Sequence, residues 1–180
     1  VHGCGGVGLS AVMIAAACGA RVVAVDVSPG ALELARTFGA AVCLDASALT
    51  GSVAEAVHKA TDGGAHLSLD ALGAPVTCVN SVQSLRRQGR HVQVGLLPDG
   101  VRLPMDRVVA LELEILGSHG MAAHAYPEMM AMVASGALRP DLLVTTEIGL
   151  DEAPAALVGL GGASGTGVTV ITPHGTGAAQ

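Results

Sequence analysis

Gly3-Cys4-Gly5-Gly6-Val7-Gly8 fits the pattern G-x-G-x-x-G, with Gly3, Gly5 and Gly8 at the pattern positions, and Asp26 stands 18 residues after Gly8. Glycines at this spacing have separate tasks. Gly3 closes a tight turn, Gly5 lets a pyrophosphate approach the backbone, and Gly8 lets the following helix pack on its strand. The start of that helix aims free amide hydrogens and a positive dipole end at the phosphates. A carboxylate about 20 residues further on can accept a hydrogen bond from a ribose hydroxyl. Together these residues have the chemistry of dinucleotide binding. A chain with 25 glycines can also produce the loop by chance, and the alternative is a tight strand-to-helix turn beside an exposed Asp.

Asp26 also bears on which dinucleotide is taken. A ribose hydroxyl donating to a carboxylate contributes roughly 1.5–3 kcal/mol. A 2′-phosphate is repelled instead, by about 4 kcal/mol per pair of unit charges at about 4 Å and an effective dielectric near 20. Val27 to Leu32 contain no Arg or Lys to reverse that sign, and Arg21 lies at the far end of the same strand. NAD is expected over NADP.

These residues need strands and helices to hold them. Gly5–Ala17 is rich in Ala, Val, Met and Ile at the periodicity of a buried helix, and Arg21–Asp26 is a short β-branched run. Ser28-Pro29 reads as an N-cap followed by the first helical residue, with Gly39 as the stop after Phe38. Further strands are expected at Ala41–Leu44, His66–Ala71, His91–Leu96 and Glu114–Ser118, with helices at Ser52–Thr61, Pro75–Leu85 and Met105–Leu111. Near-continuous apolar strands alternating with helices imply a doubly wound α/β fold, a parallel sheet covered by helices on both faces.

From Tyr126 the pattern changes to a helix Pro127–Ala134 stopped by Gly136, a strand Leu143–Ile148, a helix Asp151–Val158 and a strand Val168–Ile171. The expected division is a dinucleotide-binding unit 1–125, a return segment 126–172 toward another domain, and a flexible tail 173–180. Only two residues precede the glycine loop, where a strand of about five or six is usual. A truncated first strand is therefore expected, leaving a central gap in the sheet with unpaired ladder groups.

Composition narrows the partners. Lys+Arg number 9 against 15 Asp+Glu, a net charge of −6, and Phe38 and Tyr126 are the only aromatics. A nucleic-acid partner, which needs a basic surface and stacking rings, is not expected. Hydrophobic residues make up 51% and charged ones 13%, enough apolar matter for one core and too much for intrinsic disorder. No run of roughly 18 residues is uniformly apolar, so a membrane partner is not expected, and no secretory signal opens the chain. Cys4, Cys18, Cys43 and Cys78 lack C-x-x-C spacing and read as small buried thiols in a reducing, cytoplasmic setting.

Taken in order, Gly3-Cys-Gly-Gly-Val-Gly8, Val25-Asp26, Ser68-Leu-Asp-Ala-Leu-Gly73, Val92-Gln-Val-Gly-Leu96 and Glu114-Ile-Leu-Gly-Ser118 resemble the coenzyme half of the zinc-dependent, medium-chain alcohol dehydrogenases. The resemblance runs to about residue 172. It implies a Rossmann-type sheet, NAD as coenzyme, and hydride transfer between a small alcohol or aldehyde and nicotinamide, with zinc polarising the alcohol oxygen. Carried over by position, Gly3, Gly5, Gly6, Val7 and Gly8 face the pyrophosphate, Val7 also backs the nicotinamide ring, and Asp26 faces the adenosine ribose. Ala71 and Leu72 line the adenine-side cleft, while Val94, Gly95 and Leu96 run under the nicotinamide ribose and ring. Backbone groups of Ser118 and Gly120 hold the carboxamide, and Ala31 stands where many relatives place a Lys near the ribose. Arg102–Gly117 resembles the segment that pairs two coenzyme domains, which implies a homo-oligomer; the alternative is an internal edge covered by a loop.

In that family the zinc ligands and proton-relay groups come from a preceding domain that this chain lacks, so no catalytic and no metal-binding residue is assigned within it. His2-x-Cys4 offers two ligands where three or four are needed. His119 and His124 fall near the expected active-site edge and read as ordinary polar histidines, with a substrate or carboxamide contact as the alternative. Cys4 lies near a helix start, a position that can lower a thiol pKa, but reads as structural. Asp62, Glu112, Glu114, Glu128 and Asp141 show no pairing for acid/base work. The chain by itself is expected to lack turnover. Reactant positioning, worth roughly 7–11 kcal/mol of a barrier in well-oriented cases, and Lewis-acid activation both need the other domain. The rival readings are a zinc-free quinone or enoyl reductase of the same fold, a polyol or amino-acid dehydrogenase, and a non-enzymatic nucleotide-sensing module.

Overall fold

A computed structural model describes residues 1–160 and 165–173. Of the expected tail 173–180, all but Pro173 lies outside the described residues. The elements run α1 (Gly6–Ala17), β1 (Val22–Asp26), α2 (Pro29–Thr37), β2 (Ala40–Asp45), α3 (Val53–Thr61), β3 (Ala65–Asp70), α4 (Pro75–Gln83), β4 (Leu85–Gln93), α5 (Met105–Leu111) and β5 (Glu114–Gly117). They continue with α6 (Tyr126–Ala134), β6 (Val144–Ile148), α7 (Ala153–Gly159) and β7 (Val168–Ile171).

Local chemistry accounts for the helix ends. Ser28 Oγ accepts from the Ala31 amide at 3.3 Å, and Pro29 opens α2 where a missing N–H costs nothing. At α3, Ser52 and Glu55 cap each other's backbone amides reciprocally.

All strand pairs are parallel. β2 pairs with β1, and β3 with β4 and then β5, while His2 bridges Val25 on one side and Asp70 on the other. The order is therefore β2, β1, the opening segment Val1–Gly3, β3, β4, β5. The expected gap is partly filled. At the carboxyl ends of β1 and β3 the opening segment completes the ladder through Val25 N–H to Val1 O, Gly3 N–H to Val25 O, His2 N–H to Leu69 O and Ala71 N–H to His2 O, at 2.8–2.9 Å. Further back, β1 and β3 are not bonded to each other.

Alternation along β1 shows why both faces are covered. Val22 and Ala24 join a core with Leu9, Val12 and Met13 of α1 and Ala31, Leu32 and Ala35 of α2. Val23 and Val25 point the other way, to Val53 and Val57 of α3. A third cluster joins Val82, Leu85 and Leu113. The return segment also enters the first core, through Leu138 and Leu143.

Three expectations need correction. The helix from Pro75 ends at Gln83, and Leu85 opens β4 six residues ahead of the expected His91. The polar run Arg86-Arg87-Gln88-Gly89-Arg90 disguised this start, because it carries a register shift against β3 and a positive φ of 58° at Gln88. Val94–Leu96 is loop rather than strand, since the amides of Val94 and Gly95 both turn onto the Asp70 carbonyl. Of the four cysteines only Cys4 and Cys78 are buried; Cys18 is exposed at the end of α1 and Cys43 half-buried.

Among the described residues no helix is long and apolar enough to cross a membrane. Leu9 is fully buried at the centre of the first core, so Leu9→Ala is expected to cost about 2–5 kcal/mol of stability, read as a lower urea midpoint at unchanged slope.

Candidate functional site

In a parallel doubly wound sheet, ligands bind beyond the carboxyl ends of the strands, where the strand order reverses. Here the reversal lies at Val1–Gly3. The chain first builds outward through β1 and β2, and α3 then carries it across to β3 on the other side. The glycine loop, Asp26, Asp70–Gly73, Gln93–Leu96 and Ser118 all sit at these carboxyl ends. The sequence-predicted residues are thus brought to one edge of the sheet.

The loop has the geometry its glycines suggest. A Cβ on Gly8 would overlap the Gly3 carbonyl, so the close contact of helix and strand requires glycine there. A Cβ on Gly5 would meet nothing within 4 Å, which leaves the loop surface open to a ligand. α1 has no side-chain cap at its start and no acidic residue in its first turn. Its first amides are thus left for an anion. Val7 is half-exposed over this start, and Gly6 lies against Val168 of β7.

Asp26 is more occupied than an isolated ribose ligand would be. Its Oδ2 accepts from the Cys4 amide at 2.6 Å, and its Oδ1 accepts from Val27 and Ser28 amides at 2.7 and 2.8 Å. A carboxylate has about four acceptor sites, so one position, on Oδ2, is left for a hydroxyl. Arg21 donates to the Ala60 carbonyl at 2.6 Å, and Arg36 pairs with Glu33 on the surface at 2.8 Å. Ala31 is buried beside Leu32 and Ala35.

On the far side of the loop from Asp26, two turns meet. Leu72 and Leu96 are exposed, at 62% and 79%. A Cβ on Gly73 or on Gly95 would overlap the other turn's backbone. Asp70, fully buried, accepts from the Leu72 and Gly73 amides at 3.0 and 3.2 Å and from Gln93 Nε2 at 2.8 Å. The Ser118 amide donates to the Gln93 carbonyl at 3.0 Å, which joins the end of β5 to the same edge; Gly120 follows exposed, at φ +63°.

Other candidates fall away from this edge or have quiet roles. His2 turns to Ser84, whose Oγ lies 3.5 Å from Nε2, whereas the Cys4 thiol faces the Val25 carbonyl. Burial, reinforced by the Asp26 charge, pushes the Cys4 thiol up to about 12, so the helix start does not activate it. His119 and His124 are exposed. Glu112, Glu114 and Asp141 pair with Arg87, Arg90 and Arg139 on the surface. Among the described residues no three His, Cys, Asp or Glu side chains converge on a possible metal position. A recess of about 490 Å³ lined by Glu55, His58, Gln83 and Arg107 lies where Arg107 reaches the Leu85 carbonyl, at the amino end of β4 and away from the site.

The sequence reading gave no role to Asp70, His91 or Gln93. The only sequence signal was period-two polarity: His91 and Gln93 stand two apart, on one face of β4, and Asp70 closes β3.

A family profile described as zinc-binding dehydrogenase matches residues 6–135. The chain belongs to that family. The zinc-binding dehydrogenases are oxidoreductases. The chain is 31% identical over 156 residues to D-arabitol-phosphate dehydrogenase of Enterococcus avium, covering 84% of this chain and 44% of that protein. It is 30% identical over 153 residues to (R,R)-butanediol dehydrogenase of Bacillus subtilis, covering 84% and 43%. The crystal structure of 2R,3R-butanediol dehydrogenase from Bacillus subtilis superposes with a TM-score of 0.85 at 27% identity, over 96% of this chain and 50% of that one. The chain thus spans about half the length of the relatives it matches.

His2, beneath this site, is held neutral: burial is the main cause that lowers it from 6.5 to about 3. Burial lowers His91 as well. The unfolded chain takes up these protons near the ordinary value and the folded chain does not. Stability present above about pH 6.5 is therefore lost as pH falls toward the folded value. The urea midpoint is expected to fall between about pH 7.5 and about pH 5, and His91→Asn to flatten part of that slope.

Proposed function

We propose that this chain binds NAD as the coenzyme part of a zinc-dependent dehydrogenase. The observation that carries this reading is the convergence, at the strand-order reversal, of an uncapped helix start on an open glycine loop with a carboxylate that keeps one acceptor position. In this reading the amides of Gly6, Val7 and Gly8 hold the diphosphate, Gly3 and Gly5 shape the turn beneath it, and Asp26 takes an adenosine ribose hydroxyl. The other nucleoside then lies on the side of the loop away from Asp26, over Val94, Gly95 and Leu96, with Ser118 and Gly120 toward the carboxamide. Ala71 and Leu72, which the resemblance put on the adenine side, are reassigned to this side because they follow β3, across the opening segment from Asp26. Bound there, the coenzyme supplies a nicotinamide carbon that gives or takes a hydride. The chain's residues hold and orient it, and they keep the ring side apolar through Val7, Leu72 and Leu96.

NAD is favoured over NADP. Asp26 repels a 2′-phosphate, and the two nearest guanidiniums on the same strand and helix are engaged elsewhere. Among the described residues no three potential zinc ligands converge, and in this reading the family's metal is held by residues outside them. For that protein we propose a secondary alcohol of the polyol or vicinal diol class, supported by the names of both relatives above. Four free cysteines fit a cytoplasmic place. A second copy pairing on the outer edge of β5, where Ile115 and Leu116 are partly exposed, fits a homo-oligomer.

Calorimetric titration tests the coenzyme reading. NADH is expected to bind more tightly than NADPH, and Asp26→Ser to weaken NADH about tenfold while narrowing the gap between the two. Absence of NADH binding at millimolar concentration overturns the reading. For assembly, Leu116→Lys is expected to shift sedimentation toward the monomer if the β5 edge is the contact.

A further inference from the structure

β4 ends in a buried polar arrangement that the coenzyme reading does not use. His91 is fully buried and Gln93 half-buried. Hydrogen-bond accounting fixes both side chains. Gln93 Nε2 has two protons and two acceptors, Asp70 Oδ2 at 2.8 Å and the Gly95 carbonyl at 2.7 Å. Gln93 Oε1 only accepts, so His91 Nε2, at 3.1 Å, is its donor. His91 Nδ1 is then an acceptor, and Ser81 Oγ donates to it at 2.9 Å. Ser81, His91, Gln93 and Asp70 thus form a directed chain with each polar atom used.

The chain of bonds ends on two turns. Asp70 Oδ1 holds the Leu72 and Gly73 amides, and the Asp70 carbonyl holds those of Val94 and Gly95. The Gln93 amide adds the remaining tie, from the same carboxylate to the Gly95 carbonyl. It does so where Gly73 and Gly95 approach too closely for any side chain to stand between them. Removing the amide leaves the Asp70 Oδ1 bonds to the 71–73 turn in place but frees the carbonyl of the 94–96 turn.

We propose that Gln93 is a positioning residue for the nicotinamide half of the coenzyme, acting through Gly95 and not by touching the ligand. This rests on the NAD reading, in which a dinucleotide crossing the glycine loop from Asp26 lays its second nucleoside over the ends of β3 and β4. Loss of the tie therefore falls on one half of the ligand. A general loss of structure weakens both halves.

The test compares calorimetric affinities of the chain for NADH and for ADP, which keeps the adenosine and the diphosphate and lacks the nicotinamide riboside. Gln93→Met, close in length and without an amide, is expected to weaken NADH about tenfold and ADP by less than about twofold. Equal weakening of both ligands, or no change in either, overturns the proposal. Should circular dichroism show Gln93→Met to be unfolded, Gln93→Glu carries the test. Its carboxylate faces Asp70, so its NADH-to-ADP affinity ratio is expected to drop as pH rises through the carboxylate range, and a ratio flat with pH overturns the proposal. If the unsubstituted chain binds neither NADH nor ADP, the coenzyme reading fails and takes this inference with it; NADH binding without a selective loss in the variants defeats this inference alone.

Discussion

Four backbone hydrogen bonds around Val1, His2 and Gly3 join the β1–β2 pair to β3, β4 and β5 near their carboxyl ends. Site geometry follows from that ladder. The Gly3 amide on the Val25 carbonyl fixes where the glycine loop departs relative to the next residue, Asp26, and the Cys4 amide then closes onto the Asp26 carboxylate. On the other side the Ala71 amide on the His2 carbonyl fixes the turn after Asp70. The phosphate-facing loop and the turns on both flanks therefore share one backbone reference, and no side chain of the loop is needed to align them.

The interior around that ladder is of two kinds. Beneath α1, α2 and α3 it is apolar and filled by Leu, Val and Met. Between β3, β4 and α4 it contains His2, Ser68, Asp70, Ser81, Ser84 and His91, all buried. A buried polar group contributes little net stability even when paired, and an unpaired one costs about 1–3 kcal/mol. His2 Nδ1 is such an unpaired atom among the described residues. What the polar half supplies is direction: donors and acceptors that admit one arrangement of the turns, where an apolar filling would tolerate several.

The glycine loop, the acidic partner and the alternation of helices with parallel strands were legible because each rests on local chemistry. Ser28-Pro29 starts a helix by its own backbone and hydroxyl, and Val22–Val25 is an apolar run long enough to be a buried strand. β4 was misplaced because Arg86 to Arg90 looks like a solvated loop, and its pairing with β3 runs only through Leu85 and then from Arg90 onward. Gln93 and Asp70 were illegible as a pair since they lie 23 residues apart. Polarity in a strand signals surface until the partner is known. The occupancy of Asp26 was not legible in the sequence: three amides bind it, and two of them come from the residues that follow it directly.

The return segment has a bearing on how the polypeptide can be divided. Leu138 and Leu143 complete the core of α1, and the Arg139 amide reaches Met13 Sδ at 3.3 Å across 126 residues of chain. Cutting the polypeptide after Ser135 would lift this cover off Leu9, Val12 and Met13. A minimal nucleotide-binding fragment trimmed at that point would present a greasy groove along its first helix and self-associate through it, whatever its affinity for ligand.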